Sequence, residues 1–427
     1  MKTAIAIDAL RAAVARMPHD RLTPTRRAAL EHLDREGTPT IRHEDWKYTD
    51  LATVIEISNQ WLADGARTVA PPSADATIAS ITRRFDAHWL IIANGAVDTD
   101  SITAAQMAGI HVTPLSESQS IPQFEAPLSD LNIALLRDGL HIRIDAGAAP
   151  DKAIGVLVID SAAVAAATSQ TRVEIELAAN SKASFIEYHR STGDADHYAN
   201  SVFNLVVGDN ADANYVRLQD RDPGHSQTGR LTASLARDSR FRHCAFDLGG
   251  KLIRNDLSIE LTGPGAAASL HGLYLAGDEQ HIDNHTRIDH RVGLSRSEQE
   301  YRGILSDAAR CVWNGKAIVH NGADGTDAKQ ANHNLLLSKT AEVDAKPELE
   351  IYADDVKCSH GTTIGQLDEA AMFYLRTRGL DKREARQLMT RAFAQSIVGM
   401  TPIESYQEAI REQVADRLNQ LTLGDDQ

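Results

Sequence analysis

Cys358 and His360 stand two residues apart in the stretch Asp354-Asp355-Val356-Lys357-Cys358-Ser359-His360-Gly361-Thr362-Thr363-Ile364-Gly365. The stretch reads as a strand, in which side chains alternate between two faces. Val356, Cys358, His360, Thr362 and Ile364 then share one face, and Lys357, Ser359, Gly361 and Thr363 the other. A thiol and an imidazole on one rigid element offer a soft and a borderline metal ligand. Plain packing competes, because cysteine is among the most buried residue types. On this strand alone, packing is the favoured reading.

The densest group of histidines is His271, His281, His285 and His290. His281, Asp283 and His285 have strand parity and could converge on a metal, although a solvated polar face is the simpler expectation. No HExxH, GxxxxGK[ST] or GxSxG occurs. The segment from Gly322 to Lys329 echoes a phosphate loop, but Asp324 and Asp327 would repel phosphate, so a turn is expected. Asp354-Asp355 and Asp368-Glu369 are adjacent pairs, and neighbours on a strand point to opposite faces. From its residues alone the chain shows no self-contained catalytic site.

The elements that must position these groups change along the chain. At 427 residues it exceeds one ordinary compact core, so two or three units or an elongated repeat are expected. Aromatics make up 5%, leaving Ala, Val, Leu and Ile to fill the interior. A net charge of −15 argues against nucleic acid or an anionic membrane as partner. The first residues resemble a secretory signal until Asp8, Arg11 and Arg16 interrupt them, which predicts a short amphipathic helix. No run is apolar enough to cross a membrane. Three scattered cysteines, Cys244, Cys311 and Cys358, point to a reducing compartment and no disulfide framework. They are also one thiolate short of the usual set for a cluster.

Residues 1 to about 60 read as helical, with Thr23 as N-cap, Pro24 at the first helical position and Gly37 as the stop. Residues 66–78 read as a linker, and His88–Ala93 followed by Asn94-Gly95 as a strand and hairpin turn. From about 150 to 365, short β-type runs are separated by turns near Asn180, Asp209, Asp238, Gly263, Ser295, Asp324 and Asp354. The intervals of 29, 29, 25, 32, 29 and 30 residues fit a solenoid with two or more strands per coil better than a sandwich. Beyond 366 the pattern is helical: Asp368 to Arg378, a second helix capped by Asp381, and a third begun by Thr401-Pro402. Leu388, Met389, Phe393 and Ile397 form a stripe expected to be mostly core, and the helices are expected to cap the solenoid's end.

Trp313-Asn314-Gly315-Lys316, Lys346-Pro347-Glu348-Leu349-Glu350-Ile351, the Cys358/His360 stretch and Met372 to Gly379 resemble the SufB/SufD family of iron–sulfur cluster assembly proteins. The likeness is specific over roughly the last 120 residues and weaker elsewhere, including Glu44-Asp45-Trp46-Lys47-Tyr48-Thr49. Lys357-Cys358-Ser359-His360-Gly361 and the low cysteine count point to the SufD branch. The resemblance implies a mainly β fold: a right-handed parallel β-helix (101–365) between a mostly helical N-terminal domain (1–100) and a C-terminal helical domain (366–427). It implies a non-catalytic, cytoplasmic scaffold that pairs with SufB through the β-helix. ATP would be hydrolysed by SufC, docked on the C-terminal helices. His360, and less strongly Cys358, would be iron or cluster ligands shared with the partner. Reduced flavin is associated with the family complex, at a site this sequence does not locate. Two alternatives stay open: a β-helix enzyme acting on polysaccharide, and a homodimeric scaffold paired along the β-helix edge.

Overall fold

The computed structural model describes residues 4–66, 75–120, 122, 127–163 and 165–423. Strands alternate along the chain between two sheets, giving a parallel β-solenoid of about eight turns. The first sheet starts at Ala87–Ala93 and its hairpin partner Ala96–Val97, and ends at Thr326–Leu336 and Val356–Gly365. The second starts at Ile110–Pro114 and Leu140–Ile144 and ends at Arg310–Val319 and Glu342–Ile351.

The turns read from the sequence fall on the corners leading from the second sheet to the first. Three corners use Asn180, Asn210 and Asp238 at φ of 61°, 55° and 56°. Asn and Asp tolerate this left-handed geometry because their short side chains bond to nearby backbone. Along these corners the interior is apolar, with Val173, Ile175, Phe203, Leu205, Phe241 and Ile259 stacked coil on coil. Toward the opposite corner the interior becomes polar. There Arg217 donates to Asp247 and Asn255 at 2.8 Å each, and Asn255 to Asn284 at 2.9 Å. The Asn94-Gly95 hairpin is present, with Ile92 opposite Val97.

Helices cover the outer face of each sheet. The N-terminal helices Ile7–Val14, Thr23–Glu36 and Ala52–Ala63 build a core that reaches Tyr198 on the second sheet. Thr23 is the first residue of its helix rather than the cap, and Asp20 receives the Leu22 N–H at 2.9 Å. Residues 67–74 of the expected linker lie outside the described residues, and Asp75–Arg84 is helical.

The C-terminal helices Lys382–Val398 and Gln407–Leu423 do not cap the solenoid. Ile397, Ile410, Val414 and Leu418 pack against Leu273, Leu275 and Ile304, flat on the first sheet. Those outward residues are apolar, so the helices bury more surface there than at the polar end. The third helix begins at Gln407, after a short 3-10 turn, rather than at Thr401. Among the described residues no helix is long and apolar enough to cross a membrane.

Candidate functional site

Because the helices lie on the side, the solenoid's last coil is open. Glu342–Ile351 and Val356–Gly365 are the outermost strands of their sheets, each paired on one edge only. Such edges present unpaired backbone donors and acceptors to another chain. Pro347 lies in one of them, where its missing N–H is tolerable.

In register, Ala328 lies opposite Cys358, Gln330 opposite His360 and Asn332 opposite Thr362. Ala328 is fully buried, as is Asn332, so Cys358, His360 and Thr362 sit on the inward face of the strand. No further coil covers them. His360 is exposed and Cys358 half-buried. The alternation read from the sequence is thus correct, but the inward face of this coil is an opening rather than a core. The two ligand candidates are roughly 6.6 Å apart along the strand. Burial raises the Cys358 thiol above its ordinary value. The His360 ring finds no partner among the described residues.

Gln330, beneath His360 and 4% exposed, has neither carboxamide atom hydrogen-bonded. Nothing in its sequence context distinguished it; only the strand register brings it to His360. Among the described residues no three His, Cys, Asp or Glu side chains gather to hold a metal. Cys358 and His360 are thus two potential donors on one strand face.

The four other histidines do not converge. His281 and His285 face outward with Asp283, His290 faces inward between Ser295 and Ser297, and His271 lies on the other sheet. Nor is the His281 face simply solvated, because Glu44–Thr49 covers it. Thr49 donates to the Asp283 carboxylate and contacts His281 Nε2 at 2.8 Å. Trp46 stacks on the Arg254 guanidinium, 4.4 Å from ring centre to carbon, and Lys346 bonds Glu44 at 2.9 Å. The sequence signal in this N-terminal segment is thus a clasp onto the solenoid. Gly322–Gly325 form the expected corner, and Thr326 to Lys329 already belong to the following strand.

A groove of about 810 Å³ crosses the outer face of the second sheet. It does gather carboxylates, which the sequence did not lead us to expect. Five of the six are engaged: Asp256 by Arg254, Glu174 by Arg172, Glu260 by Arg291, Asp289 by Arg287 and Glu348 by Lys346. No Phe, Tyr or Trp is among the described residues lining it.

On the C-terminal helices, Leu388 is 48% exposed instead of core, beside Glu369–Thr377 with Phe373 at 68% and Tyr374 at 57%. Helical period alone could not separate this outward row from the buried one of Ala385, Thr390, Ala394 and Ile397.

A family model described as "SUF system FeS cluster assembly, SufBD core domain" matches residues 158–393. The chain is 32% identical over 401 residues to the iron-sulfur cluster assembly protein SufD of Escherichia coli, covering 93% of each. It is 36% identical over 222 residues to a SufBD family protein of Synechocystis, covering 52% of this chain and 49% of that one. To Bacillus subtilis SufD it is 24% identical over 318 residues, covering 74% and 72%.

Proposed function

The chain belongs to the SufB/SufD family of iron–sulfur cluster assembly proteins, most like SufD, and we propose that it is a non-catalytic scaffold subunit. The observation that carries this reading is the open last coil, which combines unpaired strand edges with an uncovered histidine. A partner scaffold of the SufB type would pair along these edges and bring its own ligands to His360 and Cys358. Neutral imidazole and thiolate are suitable donors for iron or a nascent cluster, which is cargo here. Sharing ligands across two chains would offset the shortage of thiolates in this one. Exposed Phe373, Tyr374 and Leu388 support docking of a SufC-type ATPase on the C-terminal helices. Reduced flavin would belong to the assembled complex.

The test is co-expression with the two partners, wild type against His360→Ala, with iron and sulfide measured on the purified complex. The reading requires an intact complex that loses cluster formation. Normal clusters in the variant complex would remove His360 from the chemistry and leave a supporting role.

A second reading rests on the same edges. Ile351, Tyr352 and Ile364 are exposed there at 42%, 61% and 51%. Without its paralogue, the chain would pair with a second copy across this end, as symmetric assemblies commonly do. Sedimentation of the lone chain distinguishes a dimer from a monomer.

A further inference from the structure

A cavity of about 300 Å³ lies between the N-terminal helices and the first coils, away from the open end. Its walls are of three kinds. Met17, Trp61 and Leu135 give an apolar side, Arg16 and Arg137 contribute guanidinium groups, and Gln170 and Thr168 present polar atoms. No aspartate or glutamate is among the described residues lining it, although the chain carries a net charge of −15.

Gln170 is the informative residue. It is 4% exposed, yet neither its Nε2 nor its Oε1 has a hydrogen-bond partner, and Thr168 Oγ1 is likewise unpaired. Buried polar groups are rarely left this way. The Asn94-Gly95 hairpin packs closely on the Gln170 backbone: a Cβ at Gly95 would come to 3.0 Å from the Gln170 carbonyl oxygen, and Gly95 has a φ of 72°. Arg16 is held by the Gly65 carbonyl through Nη2 at 3.1 Å. A guanidinium has donors enough to bind an anion as well. Small-molecule sites place a few convergent polar groups beside an apolar wall, and this volume lies at the small end of their range.

We propose that this cavity binds a small organic anion. Its carboxylate or phosphate faces Arg16 and Arg137, its compact apolar or aromatic body lies against Trp61, Met17 and Leu135, and a polar edge meets the Gln170 carboxamide.

The test is a saturation-transfer NMR titration of the full chain with benzoate, phenyl phosphate, neutral benzamide and inorganic phosphate. Wild type is compared with Arg16→Gln and Gln170→Leu. One saturable site is expected for benzoate or phenyl phosphate, and the stronger of the two identifies the anion. Benzamide should bind at least about tenfold more weakly, and each variant should weaken the anion by about tenfold or more. Arg16 is exposed, so Arg16→Gln decides the matter even if Gln170→Leu misfolds. The proposal is overturned by absence of saturable binding, by binding unchanged in Arg16→Gln, or by inorganic phosphate binding as well as phenyl phosphate.

Discussion

His360 lies directly over Gln330 in the register of the last two strands of the first sheet, and neither side chain finds a hydrogen-bonding partner among the described residues. One is at the surface and the other beneath it, so the two substitutions should differ. Gln330→Leu removes a buried, unsatisfied carboxamide and should raise stability by about 1 kcal/mol. His360→Ala should change it by less than about 0.5 kcal/mol. Urea unfolding of the isolated chain measures both. A large loss for His360→Ala would mean that the residue is structural.

Arg254 and Asp283, each 1% exposed, form a buried ion pair that also anchors the clasp. Burial alone would raise the Asp283 carboxyl, but Arg254 and His285 overcome it and hold it well below the ordinary value. The folded state therefore binds fewer protons there than the unfolded chain. The associated stability is present above about pH 4 and is lost as the pH falls further. Arg254→Ala should cost about 3–5 kcal/mol, because it strands a buried carboxylate. It should also speed proteolysis within 44–51. An unchanged cleavage rate would separate the clasp from the pair.

Buried histidines, His243 and His290 among them, give a second pH dependence at milder acidity. His243 is pushed down to about 3 by burial, with Arg217 adding to the effect, and burial pushes His290 down to about 4. Unfolded histidine titrates near pH 6.5, so the unfolded chain takes up the extra protons and stability falls as the pH drops below that value. Each fully neutral histidine removes roughly 2 kcal/mol by pH 5. Urea midpoints at pH 7 and pH 5 should show the loss, and His243→Gln should reduce it. An equal loss in the variant would show that His243 does not contribute.

Thiol reactivity should single out Cys358. Cys244 and Cys311 are fully buried, and burial pushes their thiols far up, so neither provides an accessible thiolate. A chromogenic disulfide reagent should titrate about one thiol per native chain and all of them in denaturant. Native Cys358→Ser should give no fast reaction. Rapid reaction of a second thiol would mean that the solenoid opens locally.

The exposed row on the C-terminal helices makes a separate prediction. Phe373→Ser and Leu388→Ser should leave stability within about 0.5 kcal/mol, because neither side chain is core. If the proposed docking holds, both should weaken retention of a SufC-type ATPase on co-purification while pairing with a SufB-type scaffold persists. Undiminished retention would move the docking surface elsewhere.

Much of this architecture is local and was therefore legible in the sequence. The solenoid's corners need left-handed or turn-forming residues at near-constant intervals, and Asn180, Asp238 and their counterparts mark them without reference to any neighbour. Strand parity likewise put Cys358 and His360 on one face, since period two is a property of the backbone. Tertiary structure decided what that face meets. The C-terminal helices follow apolar Leu273, Leu275 and Ile304 to the side of the first sheet, so the last coil stays open and an inward-facing histidine becomes a surface one. The same holds for Gln330 under His360 and for Trp46 on Arg254, contacts between residues separated by at least one coil. Periodicity encodes which face a side chain occupies, and only packing determines whether that face ends in core, partner or solvent.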